Sequence, residues 1–501
     1  MPEFVSFNQH RDRLHDARLG AEVDRAFPGA EARAEPMASF GGARASRATR
    51  KDKYAAELDK VLAYLRGYYR PDAAARHTFQ DEQGNFVDCV PFADVPTVRA
   101  AREAGHGAVA DRAPPPRGFE VRTEKRGLER PPTPARVVPP LRRGLVDRFG
   151  NRLACPDGCV PIARLAPDDI TRTGSFAKFF EKMHGPTDTK KGAKKGGKKA
   201  AAKPAARTRK VVAPTAPVAP AVQGHMYANT IDTTGGQYFG CSTGLSVWQP
   251  RVPSGTTSIS QLWMTGAQNV SARGPQSVES GWFVYDFISG VNTPVLFVYF
   301  NPDGYMSVEE GGRSGYVTNA SHQGFVPAPD PVFVVNHQGF LLPSGPGADP
   351  AGIQLYWEFT GGATPGWYLY YGAIGDDPST YHYLGYFPSF LYGNTELATH
   401  CSFVQFGGEV GGLTQPGLVT NPPGFTEMGS GTRPTADAAF NYRNVAFQCD
   451  LYVSTTNAPN APMSVARLRE NVVNRDAGFD LNFPADPAFA RYFFFGGRAA
   501  L

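Results

Sequence analysis

The 501-residue sequence is short of several things. It has no run of about 18 apolar residues, so it offers no helix able to span a bilayer. Six cysteines, Cys89, Cys155, Cys159, Cys241, Cys401 and Cys449, are too few to staple a chain of this length. The Cys155/Cys159 spacing meets no second Cys or His pair that would complete a zinc pattern, so neither metal nor cofactor is expected. The opening "MPEFVSFNQHRDRLHD" has no apolar core of a secretory signal. Acid is absent from residues 189 to 210, which hold ten Lys or Arg; subtracting these from the net +5 leaves the remainder at −5. That basic run, "KKGAKKGGKKAAAKPAARTRK", has neither aromatics nor apolar periodicity and reads as a disordered linker, so no nucleic-acid partner is expected. It is also no phosphate loop, because Lys199 stands where Ser or Thr would bind magnesium.

What is abundant is punctuation and rings: 55 Gly, 44 Pro, 34 Phe and 21 Tyr. This suits turn-rich β structure, and the length implies two or three units. Residues 1 to 50 are Arg-, Ala- and Glu-rich without sustained pattern and are expected to be poorly ordered. Residues 51 to 186 form a smaller mixed region. There "KYAAELDKVLAYLRGYY" sets Tyr54, Leu58, Val61, Leu62 and Leu65 at helical spacing, "DRFGNRLACPDGCVPIARL" reads as two short strands around a turn, and "DDITRTGSFAKFFEKM" as a short helix. Residues 187 to 222 are the Lys- and Pro-rich linker. From 223 to 501, ten or more short aromatic or β-branched runs separated by Gly, Pro, Asn and Asp imply an antiparallel sandwich or barrel. "NPDGY" (301–305) and "GDDPST" (375–380) look like hairpin connections.

Candidate chemistry narrows to two glutamates. "GCSTG" (240–244) has the spacing of a nucleophile elbow, but "LSVWQP" after it is strand-like where a helix is required. His225, His322, His337, His382 and His400 show no metal-binding spacing and read as surface or hydrogen-bonded residues. In "QFGGEVGG" (405–412), strand alternation puts Gln405, Gly407 and Glu409 on one face, a carboxylate beside bare backbone. "SVESGWFVY" (277–285) repeats the pattern with Glu279, Gly281, Phe283 and Tyr285. Two such strands would present two carboxylates to one groove. Gln405 has a plain structural reading and, beside it, one as a holder of a carbonyl oxygen; Phe283 and Tyr285 give that face an aromatic wall. A carboxylate pair in an aromatic groove also suits a glycosidase or a non-catalytic lectin-like binding module.

The sequence resembles the neprosin family of glutamic peptidases. The likeness is carried by "HMYANTIDTTGGQYFG", "LSVWQP", "ESGWFV", "FVYFNPDGY", "LGYFPSFL", "FVQFGGEV", "MGSG", "YRNV" and "YFFFGG", in order from 225 to 497. Upstream, "GNFVDCV", "CPDGCVPIARL" and "DDITRTGSFAKF" are similar to the family's propeptide. The resemblance implies a two-sheet antiparallel β-sandwich (jelly-roll or lectin-like), an N-terminal propeptide acting as intramolecular inhibitor, secretion to the extracellular space, and acid-favoured cleavage of peptide and protein substrates after proline. It also implies Glu279 and Glu409 as the catalytic pair. The chain departs from plant members in "MSVEEGGRSGYV", which lacks their cysteine pair, and in the basic linker; Cys401 with Cys449 is left as a candidate disulfide.

Overall fold

A computed structural model describes residues 4–16, 47–81, 84–106, 109–111, 135–136, 145–171, 176–180, 225–253, 256–271, 274–285, 293–306, 319, 321–329, 341–376, 380–411, 425–456 and 461–500. The linker expected at 187 to 222 lies outside them. Three sheets, one long helix and several short ones make up the described chain.

The N-terminal part opens on helix α1 (Phe7–His15), which corrects the expectation of disorder for that stretch; residues 17–46 lie outside the described residues. Ser6 and Gln9 form a capping box, each side chain satisfying the other's backbone N–H, and Phe7 and Leu14 are buried. Helix α2 (Arg47–Tyr68) follows, burying Leu58, Val61, Leu62 and Leu65 as the spacing requires. Strands β1 (His77–Gln80), β2 (Phe86–Pro91) and β4 (Cys159–Ala163) form a small antiparallel sheet, while β3 (Ala135–Arg136) joins a larger one. Only the second of the two short strands expected around "CPDG" is present. The first is reduced to a Val146–Arg152 bridge, because the Asp147 carboxylate gathers the backbone N–H groups of Phe149 and Asn151 into a tight loop. A Cys89–Cys155 disulfide fastens that loop to β2. Two short helices, α3 (Pro167–Thr171) and α4 (Phe176–Phe180), stand where one was expected.

The C-terminal part is a sandwich. Its strands are β5 (Met226–Asp232), β6 (Gly240–Ser246), β7 (Thr257–Asn269), β8 (Pro275–Tyr285), β9 (Val295–Asn301), β10 (Val326–Pro327), β11 (Ala351–Thr360), β12 (Gly366–Gly372), β13 (His382–Pro388), β14 (Phe403–Gly411), β15 (Phe425–Met428), β16 (Ala446–Ser454), β17 (Ala461–Pro462), β18 (Leu468–Val473), β19 (Phe479–Asn482) and β20 (Tyr492–Ala500). One sheet has the order β18-β5-β14-β7-β8-β9. The other runs β10-β13-β12-β11-β6-β16-β20-β15, with β3, β17 and β19 attached. "GDDPST" does connect the paired hairpin strands β12 and β13. "NPDGY" is not followed by a hairpin partner of β9 among the described residues: β9 pairs with β8, and the next described strand, β10, belongs to the opposite sheet.

Alternation decides what the two sheets share. Leu262, Val278, Trp282, Val298, Val404 and Phe406 of the first sheet meet Leu245, Leu355, Trp357, Trp367 and Phe493 of the second in one core. Each ring or branched chain removed from water there contributes roughly 2–3 kcal/mol. The indoles are satisfied across the gap: Trp282 Nε1 donates to the Ser246 carbonyl at 2.8 Å and Trp357 Nε1 to Ser280 Oγ at 2.7 Å. The outer face of the large sheet carries Tyr356, Tyr368, Tyr370 and Tyr386, and these are covered by Val61, Tyr64, Leu65, Phe176 and Phe180 of the N-terminal part. That part therefore lies behind the sandwich relative to the outer face of the six-stranded sheet.

Candidate active site

The outer face of the six-stranded sheet carries the two glutamates, each on a strand flanking β7. Three adjacent rows define it. Gln405, Trp263, Glu279 and Tyr299 align in one; Asn229, Gly407, Gln261, Gly281 and Phe297 in the next; Tyr227, Glu409, Ile259, Phe283 and Val295 in the third. Gln261 thus stands between the carboxylate rows, with bare backbone on either side. Both glutamates are almost fully buried, Glu279 at 0% and Glu409 at 2% exposure. Burying a carboxyl without partners is expensive, so the partners are the informative feature.

Glu279 Oε1 accepts from Ser277 Oγ at 2.7 Å and from Tyr305 Oη at 2.6 Å. Tyr305 is delivered by the "NPDGY" turn: its N–H donates to Asn301 Oδ1 at 2.8 Å, and its own backbone is left-handed at φ 63°. A non-glycine residue held in that region marks a position fixed by its surroundings. Burial, with the Glu279 charge beside it, pushes the Tyr305 phenol well above its usual range, so the group remains a proton-bearing donor.

Glu409 is held by a different set. His225 Nδ1 lies 2.7 Å from Oε1, and Gln261 Nε2 donates to Oε2. Tyr227 also hydrogen-bonds Glu409; burial first, then the charges of Glu409 and Glu279, drive its phenol upward. The Tyr227 phenol thus lies within electrostatic reach of both carboxylates.

The glycines have a steric reason. A Cβ on Gly281 would fall 2.0 Å from the Ser260 carbonyl oxygen, and one on Gly407, whose φ is +138°, 2.4 Å from that of Ala228. From inside the sandwich, Gln448 on β16 props this row by donating to the Gln261 carbonyl at 3.0 Å.

Of the residues singled out from sequence, Glu279, Glu409, Gly281, Gly407, Phe283 and Tyr285 share this face. Phe283 and Tyr285 pack with Ile259, Val295, Phe297 and Tyr299 at one end. Gln405 is on the face too, but its Oε1 accepts from Asn471 at 3.0 Å, a structural tie. Ser242 sits within strand β6, as its context implied. Gln261, Ser277, Tyr305, Tyr227 and His225 were not singled out as site residues. Alternation along "SISQLWMTG" would have pointed to Gln261 once β7 was known to lie between the acid-bearing strands. Cys401 and Cys449 form no disulfide; both are buried, Cys401 at an isolated bridge to Tyr238 and Cys449 within β16.

Two antiparallel sheets, one bearing a buried and separately partnered carboxylate pair on its outer face, define the C-terminal part as a β-sandwich protein with a candidate acid site. Residues 254–498, just under half of the chain, match the family model described as Neprosin. Similar solved structures include a scytalido-glutamic peptidase with a peptide-based transition-state analog, at 9% identity, 54% of this chain, 97% of that one and a TM-score of 0.28. A second structure of that peptidase, with a transition-state analog inhibitor, gives 10%, 55%, 98% and 0.29. SCP-B, a member of the Eqolisin family of peptidases in complex with the tripeptide Ala-Ile-His, gives 8%, 54%, 96% and 0.27. Likenesses this low fix nothing about the chemistry of this chain.

Proposed function

We propose that the protein is a glutamic peptidase, made as an inactive precursor, that hydrolyses peptide bonds after proline in acid with Glu279 and Glu409 as its catalytic pair. The observation that carries this reading is the two buried carboxylates on one outer face, flanking Gln261 and both felt by the Tyr227 phenol. Paired acids divide the labour of hydrolysis. The ionised member takes a proton from water as its oxygen attacks the carbonyl carbon, and the protonated member gives its proton to the carbonyl oxygen. When the intermediate collapses, the C–N bond breaks, the proton taken from water goes to the leaving amine, and one hydroxyl of the intermediate returns a proton to the carboxylate that had donated it. Two neighbouring carboxyls release their protons in separate steps, which keeps one protonated across a mildly acidic window.

The Phe283, Tyr285 and Phe297 cluster offers the apolar wall a proline ring would use. The test is hydrolysis of a proline-containing quenched peptide at about pH 4, near the carboxylate range. Glu279→Gln and Glu409→Gln are each expected to fold normally and to lose cleavage; full activity in both would falsify the pair. Release of sugar from a glycan with the peptide left intact would instead favour a glycosidase, and neither product a binding module.

Maturation is proposed to occur in the linker, where Pro214, Pro217 and Pro220 precede the β-domain. Terminal sequencing of acid-treated protein is expected to find starts at Thr215, Val218 or Ala221. Starts confined to positions after Lys or Arg would assign activation to a trypsin-like enzyme. Secretion, which the resemblance implied, belongs with this precursor reading, and localisation of the tagged full chain tests it.

A further inference from the structure

We propose that His225 is a positioning residue for Glu409, holding that carboxylate ionised and aimed into the groove, so that Glu409 is the member of the pair that takes the proton from water. The inference rests on the peptidase reading above. It starts from strand alternation. Tyr227 on β5 stands opposite Glu409 on β14. His225 is two residues before Tyr227 and projects to the same face, its ring stacked on the phenol at 6.3 Å with 20° between planes.

The contact to Glu409 is made by a side chain only 11% exposed, against a carboxylate only 3% exposed. Withdrawn from water, a hydrogen bond between imidazole and carboxylate gains strength, and an imidazolium there stabilises the negative form of its partner. The second oxygen is engaged by an N–H donor as well. Gln261 turns its amide nitrogen to Glu409 and thereby leaves its own buried Oε1 without a hydrogen-bond partner among the described residues. An amide that forgoes a partner for its oxygen in order to donate to a carboxylate is matched to an acceptor, the ionised form. With Gln261 donating to one oxygen and the His225 ring at the other, Glu409 is the member of the pair held as the anion.

Among the described residues, the titratable groups against His225 are Glu409 and the Tyr227 phenol. Tyr227 is pushed upward and stays neutral in acid. Position in the sequence adds a consequence. His225 lies five residues after Pro220, so cleavage at any of the three linker prolines leaves it on the mature chain.

Two measurements on the full chain test the proposal. First, the His225 ring is titrated by NMR in wild type and in Glu409→Gln. Loss of the anion is expected to lower its midpoint by about one pH unit; an unmoved midpoint overturns the pairing whether or not the protein is a peptidase. Second, pH profiles of kcat/KM are compared for wild type, His225→Asn, which keeps a donor without the charge, and His225→Ala. Both variants are expected to shift the acidic limb upward by about one unit, because Glu409 then protonates more readily. His225→Ala should in addition lose roughly tenfold in kcat with little change in KM, the loss of one orienting hydrogen bond. An acidic limb unmoved in both folded variants overturns the role of His225. Retained activity in Glu409→Gln overturns the peptidase pair itself, an outcome the ring titration keeps separate.

Discussion

Tyr305 shows how much one side chain contributes to the candidate site. Its hydroxyl reaches Glu279, its ring stacks on Tyr299 at 6.5 Å, and its backbone sits in a region that costs on the order of 1 kcal/mol or more for a residue with a Cβ. That cost is offset by the Asn301 side chain, which accepts from the Tyr305 N–H and donates to the Pro275 carbonyl at 2.9 Å, tying the turn to the start of β8. Tyr305→Phe deletes only the donor. Hydrogen bonds to ionisable partners are worth about 1.5–3 kcal/mol, so kcat/KM is expected to fall roughly ten- to a hundredfold. Because the ring and the turn are kept, the thermal midpoint should stay within a few degrees of wild type. A variant equal to wild type in rate would show that the phenol does not support the reacting carboxyl.

At the scale of strands, the glycine row explains what the sequence could and could not disclose. The alternation that set Glu279 with Gly281, and Glu409 with Gly407, was readable because side-chain direction has a period of two and depends on nothing distant. The strand between them was not readable, since which runs become neighbours is decided by packing across the whole sandwich. Hence Gln261 went unnoticed, although its Nε2 binds Glu409. The same limit hid His225, whose partner is 184 residues away, and the Cys89–Cys155 bond, whose ends are 66 apart. At the N-terminus the signal was local but faint: one reciprocal Ser6–Gln9 cap turns a charged, low-periodicity stretch into helix α1. The glycine row also yields a stability prediction. Gly407→Ala would press a methyl toward the Ala228 carbonyl at a φ of +138°, where an L-residue is strained by about 1–3 kcal/mol. The midpoint of the β-domain is expected to drop by roughly 5 °C, read by calorimetry. An unchanged midpoint would mean that β5 and β14 separate at little cost.

For the molecule as a whole, the two outer faces of the sandwich do different things: one holds the carboxylates, and the other is gripped by the N-terminal part. His322 is at the centre of that grip. Its ring stacks on Tyr64 at 4.7 Å, and its Nδ1 has no hydrogen-bond partner among the described residues. Burial, with Arg99 nearby and Glu103 opposing, holds the imidazole at about 4, below its ordinary 6.5. A base harder to protonate when docked than when free favours docking fully above about pH 6.5. That contribution is lost progressively as the pH falls toward 4 and changes no further below it. The size is at most on the order of 3 kcal/mol. His10 in α1, held at about 4 mainly by burial and next by Arg164, loosens the N-terminal part itself over the same window. The two effects are separable. In protein cut at a protease site engineered into residues 200–203, the N-terminal part should stay associated at pH 7 and elute separately at pH 4 on size exclusion. His322→Phe keeps the stacking and removes the titration, so its cut form should hold together at pH 4 more than the cut wild type does. Equal dissociation of the two would assign the acid response to His10 or to the carboxylates, and would remove His322 from the latch between the two parts.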